Sequence, residues 1–295
     1  MAPRTWLITG CSSGFGRRLA EVALGVAEPS SSAAAALAAR ALERGDQVVA
    51  TARRPDALGD LVGLAPDRAL AVALDVTSPA AIAATVAAAE DRFGAIDVLV
   101  NNAGFGSVGA IEEIEPEHLR DVMETMFFGP VALTQAVLPG MRARGSGAVV
   151  QMSSMGGQLS PPGFGAYCAA KFALEAASES LAAEVAPLGL RVLIVEPGSF
   201  RTGFAGARLH RSPSLPDYAA TVGPNREFLD GQHGSQEGDP RLAAEAIAAA
   251  LDADEPPLRL ALGGDAVAAI RGALDARLAE LARWEEASRA TAFAG

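Results

Sequence analysis

The feature that most restricts what this chain can fold into is a repeated alternation of short β-rich apolar runs with longer amphipathic stretches. The runs are 5–9 (TWLIT), 47–52 (QVVATA), 70–76 (LAVALDV), 96–101 (IDVLVN), 148–153 (AVVQMS) and 191–196 (RVLIVE). They are apolar at nearly every position rather than at every second one, which suits strands of a parallel sheet covered on both faces. Between most of them lie stretches with helical character, 78–93, 115–143 and 167–187. Strand–helix repetition at this spacing calls for right-handed crossovers and predicts an α/β fold with a doubly wound parallel sheet. A further run at 258–262 (LRLAL) adds an edge strand before a last helical stretch, 265–288. No linker divides the chain, so 1–295 reads as a single domain.

Two regions interrupt this rhythm. Residues 25–40 (GVAEPSSSAAAALAAR) read as a surface insertion in the first crossover. Pro29 is expected to end the first helix, and Ser32 to cap a second one that runs through Glu43 to Gly45. Residues 199–240 are rich in Gly, Pro, Ser and Arg but carry Phe200, Phe204, Leu209, Leu215, Tyr218, Phe228 and Leu229. A solvated loop has no need of so many large apolar groups, and a connection this long points to function. It is read as a substrate lid. The rest, 241–295, forms a C-terminal extension whose ARLAEL and WEE segments suggest a helix packed on the surface.

Composition excludes several classes of function. A formal charge of −11 repels phosphate backbones and anionic headgroups, so neither nucleic acid nor a membrane surface is an expected partner. No apolar run approaches the roughly 20 residues that cross a bilayer. The opening MAPRTWLITG becomes strand-like too soon for a signal peptide, so a cytoplasmic protein is expected. Cys11 and Cys168 lie too far apart in sequence for a disulfide framework, and His118, His210 and His233 show no ligand spacing, so no metal is expected.

Directly after the first apolar run comes Thr9-Gly10-Cys11-Ser12-Ser13-Gly14-Phe15-Gly16, followed by RRLAEVAL. Glycines at 10, 14 and 16 let the chain turn tightly and bring backbone N–H groups close to a pyrophosphate, with the positive end of the next helix behind them. The loop lacks the Lys-Ser/Thr ending of an ATPase phosphate loop. The second run ends in Ala52-Arg53-Arg54, where an NAD site usually places a carboxylate for the ribose. An arginine there suits a 2′-phosphate instead, so NADP(H) is the expected cofactor.

Tyr167 and Lys171 are four apart in a helical segment and so share a face, which places an ammonium near a phenol. A nearby cation lowers a tyrosine pKa toward working pH, as a general acid/base requires. Ser154 lies just past the fifth apolar run, at the strand end that faces the ligand crevice of an open α/β sheet.

With these residues in place, the chain resembles the short-chain dehydrogenase/reductase family. The likeness runs from Thr5 to about Thr202 and rests on TGCSSGFG, Asp75-Val76, Asn101-Asn102-Ala103-Gly104, Ser154, Tyr167-x-x-x-Lys171 and Pro197-Gly198 followed by Thr202. It implies a Rossmann-like seven-stranded sheet. It further implies that Gly10, Ser12, Ser13, Gly14, Phe15 and Gly16 hold the cofactor phosphates, that Asp75 and Val76 contact the adenine, and that Asn102, Ala103 and Gly104 line the cleft. It also implies that Pro197, Gly198 and Thr202 border the nicotinamide. By the same resemblance, Tyr167 would exchange a proton with the substrate oxygen, Ser154 would stabilise that oxygen, and Lys171 would hold the nicotinamide ribose. The expected activity is NADP(H)-dependent interconversion of a hydrophobic ketone and alcohol, by a homodimer or homotetramer assembled through helices 115–143 and 167–187.

The chain departs from the family pattern at Thr125-Met126-Phe127-Phe128-Gly129, where Met126 stands in place of an asparagine that helps hold a proton-relaying water. A thioether is a weak acceptor and donates nothing. That change leaves room for an alternative, a catalytically weak NADP-binding sensor or partner-binding protein.

Overall fold

A computed structural model describes residues 2–206, 208–232 and 234–293. His233 therefore lies outside the described residues. The chain forms β1 (Thr5–Ile8), α1 (Gly14–Ala23), α2 (Ser32–Arg44), β2 (Gln47–Ala52), α3 (Gly59–Leu64), β3 (Ala69–Ala73), α4 (Pro79–Phe93) and β4 (Val98–Asn101). There follow β5 (Gly106–Val108), α5 (Pro116–Met123), α6 (Gly129–Arg144), β6 (Gly147–Met152), α7 (Gly165–Val185) and β7 (Leu190–Pro197). The remainder comprises β8 (Leu209–Arg211), α8 (Gly223–Gln232), α9 (Pro240–Asp252), β9 (Arg259–Leu262) and α10 (Gly264–Arg289).

Seven strands build one parallel sheet in the order β3-β2-β1-β4-β6-β7-β9. Successive residues of a strand point to opposite faces, and here both faces are covered. Trp6 and Ile8 of β1 pack with Leu19 of α1 and Ile247 of α9 on one side. Leu7 between them packs with Leu133 and Met141 of α6 on the other. This two-sided burial is why the strands read as unbroken apolar runs. The expected strands match the observed ones to within a few residues, and the fold is the doubly wound α/β sheet.

Several local expectations are corrected. The first helix ends before Gly25, whose φ of 70° leaves the right-handed region, so Pro29 is not its terminator. Ser31 rather than Ser32 caps α2, its hydroxyl accepting from the Ala34 N–H at 3.1 Å. The stretch 115–143 is not one regular helix, because Glu124–Phe128 forms a π-helical turn between α5 and α6. The segment 199–240 is also more ordered than a loop. Its β8 pairs with β5 in a separate two-stranded parallel sheet, Gly106 opposite Leu209, which pins the segment across the chain leaving β4.

Candidate active site

The strand order reverses between β1 and β4, and the crevice beyond their carboxyl ends is where a sheet of this kind binds ligands. β1 delivers the glycine loop there. Gly10 turns with a φ of 72°, and a Cβ on Gly16 would come within 2.5 Å of the Asn102 amide nitrogen, so the loop is seated directly on the chain leaving β4. Ser13 stands at the N-cap of α1 but its hydroxyl makes no capping bond, which leaves the first-turn N–H groups without a side-chain acceptor. β2 and β3, the next strands along the same edge, are followed by Arg53 and by Asp75-Val76. Arg53 is exposed and forms no ion pair among the described residues. The Asp75 carboxylate accepts from Thr77 at 3.0 Å and 2.8 Å, and these bonds, aided by the Arg53 charge, hold it below the usual carboxylate range.

A cavity of about 210 Å³ opens in this crevice. It is lined by Ser13, Gly14, Phe15, Asn102, Gly104, Ser154, Tyr167, Lys171, Pro197, Gly198 and Thr202. Gly10, Ser12, Gly16 and Ala103 belong to the two loops behind that wall. Phe105, Leu159, Phe164, Phe200, Phe204, Phe228 and Leu229 make the rest of the lining strongly apolar. Phe200, Phe204, Phe228 and Leu229 come from 199–240, so much of the apolar content of that segment is spent on the cavity.

Within the cavity the three expected catalytic side chains converge. Ser154 follows β6 in an extended conformation, its Oγ accepting from the Gly156 N–H at 3.0 Å. The Tyr167 ring meets Phe204 edge-on at 5.2 Å. Lys171 Nζ sits 5.7 Å from the Tyr167 ring centroid and donates to the Met152 carbonyl at 2.7 Å. The electrostatics differ from the sequence expectation. Burial pushes the Tyr167 phenol well above its ordinary value, while the Ser154 hydroxyl pulls it only partly back. Burial also lowers the Lys171 ammonium to about 8. Desolvation is the largest influence on both groups, and it outweighs the Ser154 hydrogen bond at the phenol.

Met126 is fully buried in the π-helical turn and lines the cavity beside Gly104 and Lys171. The interruption of the helix therefore forms with a thioether in place of an amide. The cysteines are buried and unpaired, and burial holds Cys11 up at about 12 and Cys168 at about 11. No group of His, Cys, Asp and Glu among the described residues could hold a metal ion, and no described helix is long and apolar enough to cross a membrane.

Two residues that the sequence reading missed belong to the site. Arg208 reaches from just before β8 to the glycine loop, where its Nη2 donates to Ser12 Oγ at 2.9 Å, and it lines the cavity without a carboxylate partner among the described residues. Glu175, one turn after Lys171, is buried and accepts from Ser153, the neighbour of Ser154. Neither stands in a motif, and Arg208 is one of several arginines in 199–240, so nothing in the sequence singled it out.

Known proteins resemble this chain in sequence and fold. A model of the short chain dehydrogenase family matches residues 30–212. An oxidoreductase from Botryotinia fuckeliana, BOA17, is 37% identical over 98% of this chain and 99% of its own length. A short-chain dehydrogenase structure from Streptomyces avermitilis is 51% identical, covers 99% of this chain and 100% of its own, and superposes with a TM-score of 0.88. A Burkholderia cenocepacia short-chain dehydrogenase solved with NADP is 26% identical over 96% of this chain and 97% of its own, with a TM-score of 0.69. Sheet order, glycine loop and the Ser154, Tyr167, Lys171 constellation thus coincide with similarity over the whole chain, and the protein belongs to the short-chain dehydrogenase family of oxidoreductases.

Proposed function

We propose that this oxidoreductase reduces a hydrophobic ketone with NADPH, and oxidises the corresponding secondary alcohol in reverse. The observation that carries the reading is that Ser154, Tyr167 and Lys171 line one apolar cavity together with Ser13 and Gly14 of the glycine loop. The site fits a dinucleotide: the uncapped start of α1, the Ser12 and Ser13 hydroxyls and Arg208, which has no carboxylate partner among the described residues, offer donors and positive charge to phosphates, in a chain of net charge −11. Arg53 would take the 2′-phosphate, and Asp75 and Val76 would flank the adenine. When bound, the nicotinamide supplies the hydride.

The chain's own residues then handle the proton. The Tyr167 phenol, kept protonated at neutral pH by burial, is in the form that can donate to a carbonyl oxygen. Ser154 Oγ accepts from the Gly156 N–H and donates to the Pro197 carbonyl at 3.4 Å, a long bond that it would exchange for the substrate oxygen as charge develops there. Lys171, held by the Met152 carbonyl, keeps a positive charge beside the reacting centre below about pH 8. The aromatic wall excludes water and selects apolar substrates, and the segment 199–240, which supplies much of it, serves as the lid.

The test is oxidation of NADPH and of NADH by purified protein with a panel of steroid, aromatic, polyketide-like and aliphatic ketones, using Tyr167→Phe as control. Turnover with NADPH that vanishes in the variant, while nucleotide binding persists, is the expected result. Retained turnover in Tyr167→Phe would overturn the assignment. A sensor role would show instead as tight NADPH binding with no turnover on any ketone.

A further inference from the structure

The last helix does not pack on the surface as its sequence suggested. From Leu274 onward every described residue of α10 is exposed. Its one firm tie beyond the first turns is Arg277, which donates to the Gln158 carbonyl and lies over the Phe172 ring at 5.5 Å. Yet the free part is not polar all round. Leu274, Leu278, Leu281 and Trp284 are 46%, 64%, 62% and 64% exposed. At about 100° per residue they fall within an arc of roughly a third of the helix circumference. Four unsupported turns of helix are marginal in water, so such a stripe implies a covering surface.

The charges say what covers it. α10 carries Arg271, Arg277, Arg283 and Arg289 against Asp265, Asp275, Glu280, Glu285 and Glu286, a near balance in a chain of net charge −11. Anionic lipid or an acidic partner would be repelled by the body of the molecule and gain little from this helix. A second copy is matched to it. Arg271 and Glu285 lie equally far on either side of Leu278, two helical turns each way, which keeps both on the face that carries Leu278. Two helices crossing antiparallel at Leu278 therefore place Arg271 of each against Glu285 of the other. By contrast, α7 presents no exposed large apolar side chain, and the α5–α6 region only Leu119 and Phe128.

We propose that α10 is a self-association surface, through which two copies of this chain pair antiparallel along the stripe Leu274, Leu278, Leu281 and Trp284. The experiment is sedimentation velocity on the full chain at micromolar concentration, comparing wild type with Leu278→Glu and checking each fold by circular dichroism. The particle mass should fall by half in Leu278→Glu, whatever other contacts exist, with the helical signal of the body retained. Chains carrying Arg271→Glu and chains carrying Glu285→Arg should each associate more weakly than wild type. They should associate with one another when mixed, because each substituted side chain then meets an opposite charge. A monomeric wild type, or a mass unchanged by Leu278→Glu, overturns the proposal. So does a monomer that co-sediments with phosphatidylglycerol vesicles, which would assign the stripe to a membrane surface.

Discussion

Thr9 and Asn102 are bonded to each other twice across the gap between β1 and β4. The Asn102 backbone N–H donates to Thr9 Oγ1 at 2.8 Å, and the Asn102 side-chain amide donates to the Thr9 carbonyl at 2.8 Å. The Ala103 N–H also donates to Thr9 Oγ1, at 2.9 Å. One buried hydroxyl thus fixes the distance between the glycine loop and the wall of the cleft. Thr9→Val keeps the shape and leaves two N–H groups without their acceptor. The expected loss is about 1–3 kcal/mol of stability by urea denaturation, together with weaker NADPH binding by calorimetry. Unchanged values of both would show that the clasp does not set the cleft.

Arg259 of β9 holds together two buried carboxylates. Its guanidinium pairs with Glu175 and, at 2.7 Å, with Glu196, while Ser153 and Gln158 complete the network. Arg259→Met strands two buried negative charges and should cost about 3–5 kcal/mol. Burial and the neighbouring Glu196 already hold the Glu175 carboxyl above its ordinary value. A carboxyl raised in the folded state adds stability as pH falls through that folded value toward the ordinary one, so the deficit of the variant should shrink on acidification. Thermal melts across a pH series decide this; a deficit independent of pH would mean that lost packing, not stranded charge, is responsible.

Arg208 and Arg53 divide the expected recognition of the cofactor. Arg208 donates to Ser12 at the glycine loop, beside the positive end of α1, an arrangement favourable only once an anion arrives. Arg208→Ala should weaken NADPH and NADH alike, about tenfold or more if one charge-assisted bond worth 1.5–3 kcal/mol is lost. Arg53→Asp should instead weaken NADPH selectively and shift the preference toward NADH. Calorimetric titration of both nucleotides separates the roles. Equal losses for both nucleotides in Arg53→Asp would remove it from the 2′-phosphate site.

How much of this was legible depended on how much chain each feature occupies. The seven strands of the main sheet were readable because burial on both faces makes Val48, Val49 and Ala50 all apolar together. The cleft residues were readable because glycine turns and the Tyr167–Lys171 pair are local in sequence. β5 and β8 are three residues each, too short for any periodicity, and their pairing joins segments about a hundred positions apart. Arg208 and Ser12, 196 positions apart, likewise meet only through the fold. The π-helical turn at Glu124–Phe128 leaves no mark in composition, because it changes hydrogen bonding and not residue type. The tyrosine was misjudged for a different reason. Spacing reveals that a cation is near, but only the fold reveals how completely the phenol is removed from water.

His118 and His210 are another pair brought together only by folding. Their rings stack at 3.5 Å, with Ser107 Oγ at 2.9 Å from His118 Nε2 and Glu115 at 3.3 Å from His210. Burial, and then the His210 charge, lower the pKa of His118, against the opposing pull of Glu115 and Asp121. A base with a depressed folded value holds fewer protons folded than unfolded. The stability it permits is therefore present above its ordinary value of 6.5 and is lost as pH falls through it. The pair joins α5 to β8, so acid should loosen the anchoring of the segment 199–240 first. Between about pH 7 and pH 5 the melting temperature should fall in wild type and fall less in His118→Gln, which cannot charge. Equal slopes would place the acid sensitivity elsewhere. A larger loss of NADPH affinity in wild type than in the variant over the same range would tie the stacked pair to closure of the cleft.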